Sequence, residues 1–262
     1  MQKNTNIDDG APFYWGRAAK DYAEYRDIYP EEFYQRILDI GVCQRGQTVL
    51  DLATGTGVLP RALYRHGARF VGVDIAEEQI AEARELSQAQ NMDIAYRVSA
   101  VEEADFPEGS FDVVMACQCW IYFDQQVILP KIYRWLKPEG HLCILWMAWL
   151  PDEDEIARQS ENLVLKYNPA WTGAGYMRCV PEIPEAAIPY FVQEHALAYD
   201  ILIPFTRQSW HGRMMACRGM GASSLPQAVI RQFEEQHWGY LETVPERFAV
   251  RHYVTVLCLG PL

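Results

Sequence analysis

From Thr48 the chain runs through β-branched and aliphatic residues to Leu52, breaks on Gly55 and Gly57, and resumes with Leu59, Ala62, Leu63 and His66 at helical spacing. This succession predicts strand, tight glycine turn and helix, the front half of a βαβ unit. Pro60 suits a first helical turn, where its missing N–H had no partner, and Gly67 suits a left-handed C-terminal cap. A second strand over 70–74 ends on Asp74. Glu77 and Glu78 then open a helix whose Ile80, Ala83 and Leu86 form an inward stripe. Residues 94–98 read as a third strand, and the continuous apolar run 111–117 as one buried on both faces of a parallel sheet. A helix over 128–136, a turn at 137–140 and a strand over 141–148 follow. Beyond Pro151 the alternation loosens. A helix from 152 to about 166 precedes an irregular stretch, 168–189, rich in Pro, Trp, Tyr and Gly. A strand over 195–205, helical stretches over 207–218 and 226–238 and a closing strand over 248–259 complete the pattern. Ahead of all this lies an aromatic segment with Phe13, Tyr14, Trp15, Tyr22, Tyr25 and Tyr29, then a helix over 31–40.

Two departures from the dinucleotide fingerprint bear on the ligand. Pro60 stands where the third glycine of G-x-G-x-x-G belongs, so close helix packing around a pyrophosphate is not signalled. Asp51 adds an acid inside the first strand. Beside the turn, a carboxylate repels a diphosphate but suits a cofactor carrying an ammonium or a sulfonium. Asp74, at the tip of the second strand, is placed to accept hydrogen bonds from ribose hydroxyls.

The run from Val49 to Gly57, V-L-D-L-A-T-G-T-G, resembles motif I of the class I S-adenosylmethionine-dependent methyltransferases. Val71-Gly-Val-Asp74-Ile-Ala-Glu-Glu-Gln-Ile resembles the segment that follows it. Ser99-Ala-Val-Glu102, Phe106-Pro-Glu-Gly-Ser-Phe-Asp-Val-Val114 and Leu136-Lys-Pro-Glu-Gly140 are similar to the later strand and turn regions, in the same order. The resemblance implies an α/β fold: a Rossmann-like, doubly wound, seven-stranded and mostly parallel sheet with helices on both faces, a cap region, and the last strand antiparallel. It implies three regions: an N-terminal helical segment, 1–46, covering the cofactor site; a cofactor-binding core, 47–150; and a substrate cap with the final strands, 151–262.

By the same resemblance, S-adenosyl-L-methionine is held by Asp51, Ala53, Thr54, Gly55, Gly57 and Asp74, with Ile75 and Gln79 beside the adenine. Ala100 stands where relatives often carry an acid, which leaves the backbone N–H of Val101 for the adenine edge. Gln118 follows the fourth strand, and Tyr25 and Arg26 meet the methionine end, a guanidinium suiting its carboxylate. Ile121 stands where a subgroup of the family has a histidine, so one possible base is missing. His211, beside Trp210, is the remaining candidate catalytic base. The tail 205–262 loosely resembles methyltransferases similar to trans-aconitate methyltransferase. Arg207, Arg213 and Arg218 would suit an acidic substrate, although solvated surface positions are the commoner fate of such residues.

Composition narrows the partners. With 23 Lys and Arg against 35 Asp and Glu, the formal charge of −12 opposes binding to nucleic-acid backbones. Seven scattered cysteines without a C-x-x-C pair point to reduced thiols, with neither a disulfide framework nor a metal site. No long apolar run or secretory leader is apparent, so the expectation is a cytoplasmic enzyme that methylates a small molecule, possible carboxylates included, away from membranes and nucleic acids. The acceptor and the oligomeric state stay open. Two other readings share these residues: an NAD-dependent oxidoreductase, disfavoured by Pro60 and Asp51, and a non-catalytic S-adenosylmethionine-binding protein.

Overall fold

The computed structural model describes residues 7–262; six of the nine opening residues on which the expectation about a secretory leader rests lie outside the described residues. Helices α1 (Ala19–Tyr25) and α2 (Glu31–Asp39) precede β1 (Thr48–Leu52). Then come α3 (Val58–Leu63), β2 (Arg69–Asp74), α4 (Glu77–Ala89), β3 (Ala95–Val98), β4 (Phe111–Cys117), α5 (Gln125–Trp135) and β5 (Leu136–Trp149). The remaining elements are α6 (Glu155–Tyr167), β6 (Phe191–Thr206), α7 (Arg207–Met215), α8 (Gln227–Leu241) and β7 (Arg247–Pro261). The seven strands form one sheet in the order β3-β2-β1-β4-β5-β7-β6. Pairing is parallel between β2 and β3, β1 and β2, β1 and β4, and β4 and β5. This is the mostly parallel, Rossmann-like α/β sheet that the strand and helix alternation predicts.

One element differs from expectation. Residues 137–140 form no simple turn ahead of a strand; β5 already pairs at Leu136 with Phe111, and His141 pairs with Val113. Two steps along β4 therefore match five along β5, and the Lys137-Pro-Glu-Gly140 stretch bulges from the ladder. The bulge is held: Lys137 Nζ meets both carboxylate oxygens of Asp112 at 2.8 Å, and the Thr48 N–H donates to Asp112 at 2.7 Å. Burial alone would raise the Asp112 carboxyl; Lys137 and the Thr48 N–H outweigh it, and its pKa is lowered.

The chain divides into two compact units. The first comprises Tyr29–Met147, Cys179–Tyr199 and Val254–Leu262; the second takes the residues up to Ile28 with Ala148–Arg178 and Asp200–Tyr253. In the first unit, Leu50 and Leu52 of β1, Val114 and Ala116 of β4, Leu142 of β5 and Leu257 and Leu259 of β7 are buried with Ile128, Leu129, Ile132 and Trp135 of α5. Those α5 positions lie on one helical face, which is why the helix seats on the sheet. Asp124 caps it, accepting from the Gln126 N–H at 3.0 Å.

The second unit has an aromatic core. The Trp149 and Trp210 rings meet edge-on at 5.3 Å, and Phe205 packs on Trp210 at 4.9 Å. Asp154 caps α6 through the Ala157 N–H, and Thr206 with Ser209 forms a capping box at the start of α7. Two buried acids fasten loops here. Glu161 accepts from the Trp149 indole and from the Gly175 N–H, and Asp8 forms an ion pair with Arg218 at 2.8 Å. Among the described residues no helix is long and apolar enough to cross a membrane.

Candidate functional site

The β1–α3 turn of the first unit begins with a non-glycine residue in the left-handed region, Ala53 at φ 48°, and continues through Gly55 at φ 57° and Gly57 at φ 73°. The two glycines adopt this conformation without a Cβ penalty; Ala53 does not. On the neighbouring strand, Gln118 follows Cys117 at φ 63°. Leu52 pairs with Ala116, so both strained residues lie at the carboxyl ends of adjacent strands. Such strain, on the order of 1–3 kcal/mol per residue, concentrates where a backbone is shaped for a ligand. Gln118 is braced: its N–H donates to the Leu145 carbonyl at 2.9 Å, and its side-chain amide donates to the Met147 carbonyl.

Two carboxylates fix the turn. Asp51 accepts from the Thr54 hydroxyl at 2.6 Å. Asp74 accepts from the Gly55 N–H and the Ala76 N–H, each at 2.9 Å. Both acids are buried, 3% and 6% exposed. Burial pushes Asp51 up to about 7, with the Thr54 bond opposing and the charge of Asp74 adding to the rise. Burial also raises Asp74, against the pull of its backbone donors. Among the described residues neither is paired with a cation. An ionised carboxylate has about four acceptor positions, so each retains capacity beyond these bonds. Two buried acids at one turn thus favour a ligand bringing positive charge and hydroxyl donors, and disfavour a diphosphate. On that chemistry S-adenosylmethionine fits the residues present.

Tyr96 of β3, which sequence reasoning missed, presses on this turn from beneath. A Cβ at Gly57 would overlap the Tyr96 hydroxyl, and one at Gly72 would come within 2.8 Å of its ring. The hydroxyl is shared with Ser87 at 2.9 Å. Its only sequence signal was its place on a short strand beside Gly72. Of the remaining candidates in this unit, Ile75 is 44% exposed after the strand tip while Gln79 and Val101 are buried. Ala100 is half-buried and its carbonyl accepts from Ala104 N–H at 3.0 Å. Cys119 is buried with its thiol donating to the Leu52 carbonyl at 3.3 Å, and burial raises it well above the ordinary thiol range. It is a structural thiol. Ile121 is exposed.

Tyr25, Arg26 and His211 belong to the second unit, where the structure brings Tyr25 and His211 onto packed helices: a Cβ at Gly212 of α7 would run into the Tyr25 ring of α1. Arg26 lies over the Tyr22 ring at 4.9 Å. His211 is buried, bonded to His237 of α8 at 2.9 Å between Nδ1 atoms and stacked on Trp238 at 4.6 Å. Burial lowers it to about 4, so the ring is neutral at physiological pH. The arginines depart from the expectation of solvated positions. Arg213 and Arg218 are 5% and 4% exposed, Arg213 lying over the Trp149 ring at 4.7 Å and Arg218 pairing with Asp8; Arg207 donates to the Val244 carbonyl at 2.9 Å. His237 and Ser160, also missed, sit on the inward faces of α8 and α6. The stripe Ile230, Phe233, His237, Leu241 at three- and four-residue spacing was the available signal for His237.

Comparison with known proteins bears on residues 50–144, which match the methyltransferase domain family. Demethylmenaquinone methyltransferase of Thermus thermophilus is 33% identical over 114 residues, 42% of this chain and 52% of that protein. Ubiquinone biosynthesis O-methyltransferase of Bradyrhizobium diazoefficiens is 33% identical over 120 residues, 45% of this chain and 47% of that protein. The chain spans about half the length of the curated relatives it matches. Among solved structures, phospholethanolamine N-methyltransferase 2 of Haemonchus contortus, in complex with phosphomonomethylethanolamine and S-adenosylhomocysteine, superposes with a TM-score of 0.53. It covers 93% of this chain and 57% of its own, at 19% identity, a likeness of fold. Residues 50–144 thus match the methyltransferase domain family, in line with the class I methyltransferase motifs that the glycine turn and the strands around it resemble.

Proposed function

We propose that the chain transfers the methyl group of S-adenosylmethionine to a small-molecule acceptor in the cytoplasm. The observation that carries this reading is the pair of buried carboxylates, Asp51 and Asp74, without a cationic partner among the described residues and hydrogen-bonded to Thr54 and Gly55 of the glycine turn. The solved relative from Haemonchus, whose complex contains S-adenosylhomocysteine, supports the choice of cofactor. When bound, S-adenosylmethionine supplies an already activated methyl group, so the chain needs no covalent nucleophile of its own.

In this reading Asp74 takes the ribose hydroxyls on its free lone pairs, Asp51 offers negative charge to the ammonium and sulfonium end, and Ala53, Thr54, Gly55 and Gly57 line the approach with backbone. Ile75, Gln79, Ala100 and Val101 flank the base, and Gln118 holds the end of β4 rigid beside it. Tyr25 and Arg26 are assigned to the methionine portion by the family resemblance alone. The protein's share of catalysis is alignment and exclusion of water. The charge of −12 supports a small molecule over a nucleic acid as acceptor.

Isothermal titration of the full chain with S-adenosylmethionine, S-adenosylhomocysteine and NAD tests this. Both S-adenosyl ligands are expected to saturate and NAD to give no heat. Asp74→Asn keeps an oxygen for the Gly55 N–H but loses the charge, and weakens the S-adenosyl ligands by about tenfold or more, the scale of a charge-assisted hydrogen bond. Preferential binding of NAD, or no S-adenosyl binding, would sink the reading.

A further inference from the structure

Within the second unit, the residues ahead of α1 and the loop between α7 and α8 enclose a cavity of about 430 Å³. Pro12, Phe13, Tyr14, Arg17, Ser223 and Ser224 line it. Backbone ties its two walls together. Phe13 and Ser223 pair as an antiparallel bridge, and the Tyr14 N–H donates to the Ala222 carbonyl at 2.8 Å. From a single 3-10 turn over Trp15–Ala18, Arg17 Nη1 donates to the Ser223 carbonyl at 2.7 Å. Phe13 is buried with the Arg218 guanidinium over its ring at 5.7 Å, and Arg218 is itself fixed by Asp8. The walls are therefore set before a ligand arrives, which lowers the ordering cost of binding, and the volume lies in the range of small-molecule sites.

The lining combines aromatic surface with one cation. Arg178 and Arg251 of the same unit pair with Asp200, and Arg218 pairs with Asp8. Among the described residues Arg17 pairs with no carboxylate, in a chain where 35 Asp and Glu outnumber 23 Lys and Arg. Its guanidinium carries five N–H donors, and the bond to Ser223 uses one. Arg17 is exposed, so a ligand reaches the remaining donors from solvent. The Ser223 hydroxyl is spent on the Met220 carbonyl, while exposed Ser224 adds a hydroxyl at the rim. A cationic ligand is repelled here, and a diphosphate finds no second cation among the lining residues. A carboxylate matches the planar fork with a single charge and two oxygens.

We propose that this cavity binds a small aromatic carboxylate, its carboxylate taken by the uncommitted N–H groups of Arg17 and its ring set against Phe13 and Tyr14. Binding is non-covalent, and it concerns the second unit alone, so it goes beyond the methyl-transfer reading and does not rest on it. Each half of the ligand has its own recognition. The amide of the same ring keeps the aromatic contact and loses the charge-assisted pair; an aliphatic carboxylate keeps the pair and loses the aromatic contact. Because Arg17 is exposed, salt screens the pair, and affinity falls as ionic strength rises.

Saturation-transfer NMR titrations of the full chain with benzoate, benzamide and acetate read these preferences. Benzoate is expected to saturate, with benzamide and acetate each weaker by about tenfold or more, the scale of losing a charge-assisted hydrogen bond or an aromatic contact. Arg17→Gln should weaken benzoate by about tenfold and leave benzamide unchanged, and Arg17→Lys, which keeps the charge without the fork, should fall between. Ser224→Trp fills the cavity from an exposed position and should abolish benzoate binding with the thermal midpoint unchanged. Arg17→Gln also loses the bond to the Ser223 carbonyl; should it fail to fold, Arg17→Lys and Ser224→Trp still decide. No saturable benzoate binding, benzamide bound as tightly as benzoate, or benzoate binding indifferent to the Arg17 and Ser224 variants each overturns the proposal. None of these titrations contains S-adenosylmethionine, so their failure is distinct from a failure of the methyl-transfer reading.

Discussion

Asp51 is a buried acid, 3% exposed, and its charge should be visible in binding. With its pKa pushed up to about 7 in the ligand-free fold, it gains its charge across neutrality. Affinity for cationic S-adenosylmethionine is therefore expected to rise by about tenfold from one pH unit below that value to one above, following the ionised fraction. S-adenosylhomocysteine, without the sulfonium, should respond less, and parallel titrations at the two pH values compare them. Linkage gives stability the opposite sign: a raised carboxyl stabilises the ligand-free fold below its unfolded value, near 3.8, and this is lost as pH rises through about 7. The histidines pull the other way. His211 and His237, lowered to about 4 and about 3, contribute stability present above their unfolded value of 6.5 and lost as pH falls toward those numbers. Urea midpoints across this range should drop less steeply on acidification in His211→Gln than in the unaltered chain, the difference isolating the histidine from Asp51.

Among the elements, the glycine turn is the least tolerant of change. Gly57→Ala places a Cβ against the Tyr96 hydroxyl in a left-handed backbone, and should cost about 1–3 kcal/mol and abolish tight S-adenosyl binding. Removing the hydroxyl as well, in Tyr96→Phe, should recover part of the stability in thermal melts; no recovery would mean that φ, not the clash, dominates. This turn also shows what was readable beforehand. Gly55, Gly57 and Gly67 announce left-handed backbone because glycine is the residue that adopts it freely, whereas Ala53 and Gln118 adopt it through tertiary restraint, such as the bonds from Gln118 to Leu145 and Met147. Local propensity carries no trace of that. The strands β1, β2 and β4 were plain from apolar runs, but the bulge in β5 depends on Lys137 reaching Asp112 from another strand, a non-local pairing. The second unit was the least legible: its Glu161, Arg213, Arg218 and His237 are polar residues buried by mutual bonding, and periodicity assigns such residues to solvent.

At the scale of the whole molecule, the Asp8–Arg218 pair joins sequence-distant segments of the second unit, with Thr172 bonded to both through its hydroxyl at 3.0 and 3.1 Å. Breaking a buried pair on one side leaves an uncompensated charge. Asp8→Asn should cost about 3 kcal/mol in urea unfolding, and adding Arg218→Met should recover much of it. A double variant no more stable than the single one would show that Arg218 is satisfied elsewhere. The way the units are threaded has a further consequence, for biosynthesis. Each is assembled from three separate stretches of chain, and β7 supplies residues to both, Arg247 to Tyr253 to one and Val254 to Pro261 to the other. On the ribosome neither unit can close early: β1 to β5 emerge first but wait for a strand made more than a hundred residues later. During that interval their apolar edge is open, and a chaperone that masks nascent strands would govern the yield of this protein more than its final stability does.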